Sequence, residues 1–207
     1  MAKKIYIIFI VLCFGLTAKA QNYILNPSFE EYNICPTNRG QIHNCKDWYN
    51  KGITPDFYHQ CGYYKMDNTA FEYTQPPFDG QGVSGIAISF PFRLRSDTIF
   101  REYMMGTLSE PLTDDAFYFE AYVLSNPINR TNSLGIYFTK DTISRFDGYA
   151  KMINPQITFT DWIGSYPDWQ RHPACVDNIV GSQYLTIGNF NTPGTDSVEY
   201  KDINFSN

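Results

Sequence analysis

Phe117-Tyr118-Phe119-Glu120-Ala121-Tyr122-Val123-Leu124, entered from Ala116, is the stretch that decides the fold class. Aromatic and β-branched side chains suit a pleated, half-buried surface, and here rings fall on both faces of the extended chain. Similar short runs lie on either side. Upstream, residues 85–90 alternate and stop at Pro91, and residues 100–105 follow a polar turn over 95–98. Downstream, residues 133–139, 156–159, 169–174, 183–190 and 197–205 repeat the pattern. Short strands at close spacing, separated by Gly, Pro and Asn turns, predict an all-β sandwich or barrel. Residues 22–25 predict a short first strand running into a turn at Asn26-Pro27, and helix is confined to turns near 55–60 and 146–152.

The chain ahead of this β region has the three parts of a secretory signal. Lys3 and Lys4 precede an apolar run over 5–16, and Ala18-Lys19-Ala20 forms a small-x-small cleavage site before Gln21. The run is shorter than the roughly 20 residues of a membrane-spanning helix. The expected organisation is a signal peptide over 1–20 and one domain over 21–207, exported to the periplasm, the cell surface or the medium, with no membrane span after cleavage. Loss of Lys3, Lys4 and Lys19 with the leader takes the net charge from −5 to about −8. An acidic surface without a basic run repels phosphate backbones and anionic lipid, so nucleic acid is not an expected partner.

Residues 33–82 are rich in Asn, Gly, Pro, Tyr and Cys and lack helical periodicity, which describes a long braced loop region. Beyond the leader stand Cys35, Cys45, Cys61 and Cys175. An even number in an exported chain favours two disulfides, in any of three pairings, and the absence of a Cys-x-x-Cys pair disfavours zinc.

Motifs for catalysis are weak. Gly80-Gln81-Gly82-Val83-Ser84-Gly85 matches a dinucleotide-binding pattern, but it follows Pro76-Pro77 and leads into a strand where a helix is required, so it reads as a glycine-rich turn. There is no Gly-x-Ser-x-Gly elbow, and His43, His59 and His172 are not spaced as metal ligands on a helix. Adjacent acids such as Glu30-Glu31 point to opposite faces of a strand and cannot flank one glycosidic bond. Glu30, close behind the first turn, is the carboxylate that stands out. Asp202, at the opposite end of the chain, would complete a hard-oxygen pair suited to Ca²⁺ if the first and last strands are neighbours.

Asn26-Pro27-Ser28-Phe29-Glu30-Glu31-Tyr32 with Cys35-Pro36, then Trp48, Thr54-Pro55-Asp56-Phe57-Tyr58 and Cys61, resembles a domain of exported Gram-negative proteins. Its members are often described as gliding-motility or outer-membrane-protein-A-like. The resemblance continues through Arg101-Glu102-Tyr103, Gly135-Ile136-Tyr137-Phe138 and Leu185-Thr186-Ile187-Gly188-Asn189-Phe190. It implies a jelly-roll β-sandwich of two antiparallel sheets, galactose-binding-like and similar to carbohydrate-binding modules. It further implies a structural Ca²⁺ held by Glu30 and Asp202, and a Cys35–Cys61 disulfide that leaves Cys45 to pair with Cys175. Where such relatives end in Ile-Asp-Asp-Val, this chain has Lys201-Asp202-Ile203-Asn204.

The expected function is a non-catalytic module that recognises a glycan through loop aromatics. Sugars stack their C–H faces on rings and hydrogen-bond to acids, amides and guanidinium groups. The candidates are Trp48, Tyr49, Asp56, Tyr58, Tyr63 and Tyr64, with Arg101 and Tyr103 at i and i+2 on one face. The alternative is a structural or adhesion component of the cell envelope that binds a protein partner through the same loops.

Overall fold

The computed structural model describes residues 21–63, 75–88, 90–91, 99–125, 129–146, 153–163, 168–192 and 198–200. The expected leader, Tyr64 and Asp202 lie outside these described residues, as do the turn at 95–98 and most of the turn near 146–152. Every regular element described is a strand except a 3-10 turn over Ile42–Asn44, so the all-β class is established. In chain order the strands are β1 (Trp48–Asn50), β2 (Asp56–His59), β3 (Gly82–Gly85), β4 (Phe90–Pro91), β5 (Ile99–Phe100), β6 (Met104–Thr107) and β7 (Ala116–Val123). They continue with β8 (Asn129–Thr131), β9 (Leu134–Thr139), β10 (Ile157–Phe159), β11 (Gln170–Asp177), β12 (Tyr184–Gly188) and β13 (Val198–Tyr200).

All the pairings among the described residues are antiparallel. The largest sheet has the order β1-β6-β12-β9-β10, and β7 pairs with β11 over eight residues in register from Ala116↔Asp177 to Val123↔Gln170. Leu134, Ile136 and Phe138 of β9, Ile157 and Phe159 of β10 and Leu185 of β12 pack in one cluster with Phe119 of β7 and Val176 of β11. The main core therefore lies between the five-stranded sheet and the β7–β11 pair, an arrangement that fits a β-sandwich. The strict alternation in β7 produces it. Phe117, Phe119, Ala121 and Val123 go to the core, and Tyr118, Glu120 and Tyr122 go outward.

A second cluster joins Ile42, Cys45, Trp48, Phe57 and Met104, and a third joins Tyr103, Phe146 and Phe190. The opening motif closes the second cluster as a turn, not as a strand. Residues 22–25 make only a bridge from Ile24 to Leu108, with Leu25 N–H donating to the Thr107 carbonyl at 3.0 Å. Asn26 has φ 49° and clamps the turn: its Nδ2 donates to the carbonyls of Glu31 and Lys46, both at 2.8 Å, and its Oδ1 accepts the Glu31 N–H at 2.9 Å. Trp48 Nε1 donates to the Asn26 carbonyl at 3.0 Å.

The segment expected to turn as a helix near 55–60 is instead strand β2, because Phe57, Tyr58 and His59 are all buried and the strand pairs with β3. Cys35 and Cys61 are joined in a disulfide with Cα atoms 5.9 Å apart. The pairing of Cys45 with Cys175 does not form; both are free thiols. Cys45 is buried in the second cluster, within hydrogen-bond reach of Asn26, whereas Cys175 stands on the solvent face of β11 opposite Tyr118.

Candidate functional site

The residues expected to hold a ligand are mostly part of the protein's own interior. Trp48 (4% exposed) packs against Phe29 with tilted rings 4.8 Å apart, and Tyr58 (3%) stacks on Tyr63 at 5.9 Å. Arg101 (1%) and Tyr103 (0%) do not share an outward strand face. They lie in the irregular segment between β5 and β6 and turn into the fold. Arg101 Nη1 donates to the Asn191 carbonyl at 2.5 Å, and the Tyr103 hydroxyl donates to the Asn189 carbonyl. Gly188 makes room, since a Cβ there would sit 2.2 Å from the Tyr103 ring. These four side chains hold loops together and present nothing to a ligand. Tyr49 is exposed, and Asp56 and Tyr63 are half-buried.

Half-buried Asp56 and buried Glu102 lie close enough to repel each other. Asp56 accepts from Gly40 N–H at 2.6 Å and from the Tyr58 hydroxyl at 2.6 Å. Glu102 accepts from Thr54 N–H at 3.1 Å, Thr54 Oγ1 at 2.6 Å and Ala87 N–H at 2.8 Å. Burial pushes both carboxyls up from their usual range, and repulsion from Asp56 adds to the shift at Glu102. Perturbed acids often mark catalytic clefts. Here, however, the oxygens are taken up by backbone and hydroxyl donors, and Glu102 is only 5% exposed. These bonds brace the turns around β2.

Glu30 works in the same way. Its Oε1 accepts the N–H groups of Gln81 at 2.7 Å and Gly82 at 2.8 Å, and His59 Nε2 lies 3.9 Å from Oε2. A Cβ on Gly80, whose φ is +66°, would meet that carboxylate at 2.3 Å, and one on Gly82 would meet the Phe29 carbonyl at 2.2 Å. Gly80 and Gly82 therefore serve the close approach of the opening motif. The contacts of the Glu30 carboxylate are two N–H donors and an imidazole, and Asp202, the other expected ligand, lies outside the described residues. No set of three or more His, Cys, Asp or Glu side chains among the described residues is placed to hold a metal.

The side chains that converge in solvent lie elsewhere, on the outer face of β7–β11. Tyr118 is 57% exposed and Phe78 52%. Phe78 stacks on Tyr122 with ring centroids 3.6 Å apart and planes 13° apart, and Trp169 meets Phe78 edge-on at 6.4 Å. Trp169 Nε1 donates to the Pro76 carbonyl at 3.1 Å, which pins the 76–78 loop over the sheet. Between the rings, Arg171 pairs with Glu120, Nη2 and Nε standing 2.6 and 2.7 Å from Oε2. Tyr118 Oη also donates to Glu120 Oε2 at 2.8 Å. The Arg171 hydrogen bond holds the Glu120 carboxyl below its usual range, and the bonds to Glu120 push both Tyr118 and Tyr122 up. At neutral pH the face therefore carries a carboxylate, a guanidinium and two intact phenols among exposed rings.

None of these residues was among the expected ligand contacts. The sequence signal was the period-2 placement of Tyr118, Glu120 and Tyr122, which follows from the alternation of β7. Shallow clefts also open on the surface, one of about 430 Å³ beside Lys140, Asp141 and Asn178 and one of about 360 Å³ beside Trp162 and Arg171. No helix among the described residues is long and apolar enough to cross a membrane. No known protein family matches the chain, nor does any characterised protein or solved structure.

Proposed function

We propose that this chain is an exported, non-catalytic glycan-binding module, a galactose-binding-like jelly roll whose sugar site is the outer face of β7–β11. The observation that carries the reading is the exposed rings of Tyr118 and Phe78, the latter stacked on half-buried Tyr122, around the Arg171–Glu120 pair. Large exposed rings are the informative exception on a protein surface, because burial is their ordinary fate. A pyranose offers flat C–H faces for stacking and hydroxyls that both donate and accept. The paired carboxylate and guanidinium meet those hydroxyls without reorganisation, since their mutual bonds already hold them in place.

The test is a glycan-array and affinity-electrophoresis screen of the wild-type protein and of Tyr118→Ala and Arg171→Ala variants. Each variant is expected to weaken retention by roughly tenfold, an interaction of the size of a lost aromatic or charge-assisted contact, with an unchanged melting temperature. A screen without any glycan hit, alongside capture of a cell-envelope protein that Tyr118→Ala abolishes, would instead assign the same face to an adhesion partner.

A further inference from the structure

The cleft of about 360 Å³ lies along the margin of β11, between that strand and the segment that leaves β10. Its volume falls in the range of small-ligand sites, roughly 300–1,000 Å³. Trp162 stands at its mouth, 39% exposed, with Asp161 exposed beside it. The floor is formed by Phe159 and His172, whose rings meet edge-on at 5.3 Å. Two features connect this cleft to a ligand. His172 Nε2 is a buried polar atom with no hydrogen-bond partner among the described residues, and burial lowers the affinity of that imidazole for a proton. A buried orphan polar atom is costly, and a ligand hydroxyl is the kind of group that satisfies it. The second feature is Arg171, which lines the cleft and also pairs with Glu120 on the outer face.

Resting on the reading of that face as a sugar site, we infer that the Trp162 cleft is a second sugar subsite joined to it through Arg171. The ligand is then an oligosaccharide whose chain crosses β11, not a single terminal sugar. One ring stacks in the Tyr118–Phe78 region and a following ring lies against Trp162, its hydroxyls toward Asp161 and His172. Neutral polar hydroxyls suit the cleft because its His172 is disposed to stay uncharged.

Calorimetry with cello-, chito-, xylo- and malto-oligosaccharides of one to six units, on the full chain, separates the possibilities. For the series that binds, affinity is expected to rise at least tenfold between one and three or four units. Trp162→Ala should remove that rise and leave the shortest binding sugar unaffected, Trp162→Phe should restore much of it, and Tyr118→Ala should weaken every length. If Trp162→Ala keeps the full length dependence, the cleft is not a subsite and the outer face stands alone. If no oligosaccharide binds the wild-type protein, the sugar reading and this inference fall together.

Discussion

Two regions of this molecule use the same side-chain chemistry and put it to opposite ends. Around β2, Arg39 bonds Tyr63 and stands near Tyr58 and Asp56, with Glu102 close to Asp56. On β7–β11, Glu120, Tyr118, Tyr122 and Arg171 gather in the open. In the first region Tyr58 is 3% exposed and Glu102 5%, whereas in the second Tyr118 is 57% exposed. The buried acids are pushed up by desolvation, while Glu120 is held down by Arg171. The difference teaches that an acid–tyrosine–arginine constellation is a brace where backbone donors use up its oxygens, and stays open to other groups where solvent still reaches it.

The comparison breaks most sharply at Glu102. Replacing it with alanine removes the acceptor of Thr54 N–H, Thr54 Oγ1 and Ala87 N–H, all part-buried bonds. The expected loss is about 3 kcal/mol. That corresponds to a fall of roughly 10 °C in melting temperature for a domain of this size. The exposed counterparts Tyr118→Ala and Arg171→Ala should leave the melting temperature unmoved while weakening sugar retention, so calorimetry on the set tests both halves at once.

A smaller effect is expected from pH. Asp56 and Glu102 titrate above their ordinary values of 3.8 and 4.5 in the folded protein. Their folded state holds protons that the unfolded chain has already released, so the stability they contribute is fully present below those ordinary values. It is lost as pH rises through the raised folded values. Asp56→Asn and Glu102→Gln variants should show a flatter fall of melting temperature with rising pH than the wild type; equal slopes would remove these acids from the account.

Smaller again is the contrast between the thiols. Burial pushes the Cys45 thiol up to about 12, and Cys175 is exposed. Iodoacetamide labelling of the native protein, read by peptide mass mapping, should modify Cys175 and spare Cys45, because the thiolate is the reactive form. Equal protection of both cysteines under non-reducing conditions would restore their pairing. The least effect is expected from chelation. With amide donors around Glu30, EDTA should shift the melting temperature by less than about a degree, whereas release of a tightly bound structural ion would shift it by several.

Much of the architecture was legible in particular residues. The alternation of 117–123 set both the strand and its two faces, whereas the Gly-x-Gly-x-x-Gly pattern is a turn only at 80–81, residues 82–85 forming strand β3. The Cys35–Cys61 bond follows the resemblance of the opening motif. The open aromatic face was not legible in the same way. Arg101 and Tyr103 looked like an outward pair by period 2, but β5 ends at Phe100 and β6 begins at Met104, so that period does not run through them. Loop rings such as Trp48 and Tyr58 looked available because a loop's burial depends on what is packed over it.

Sequence by itself determined the strand over 117–123 and the two faces of β7, because these follow from neighbours a few residues apart. Only the tertiary structure decided which of those faces meets solvent. Phe119 is buried because β9, β10 and β12 come from elsewhere in the chain to cover it, and Phe78 stands over Tyr122 because Trp169 holds its loop from 93 residues away. Exposure is a property of packing between distant elements, and so is any site that depends on it.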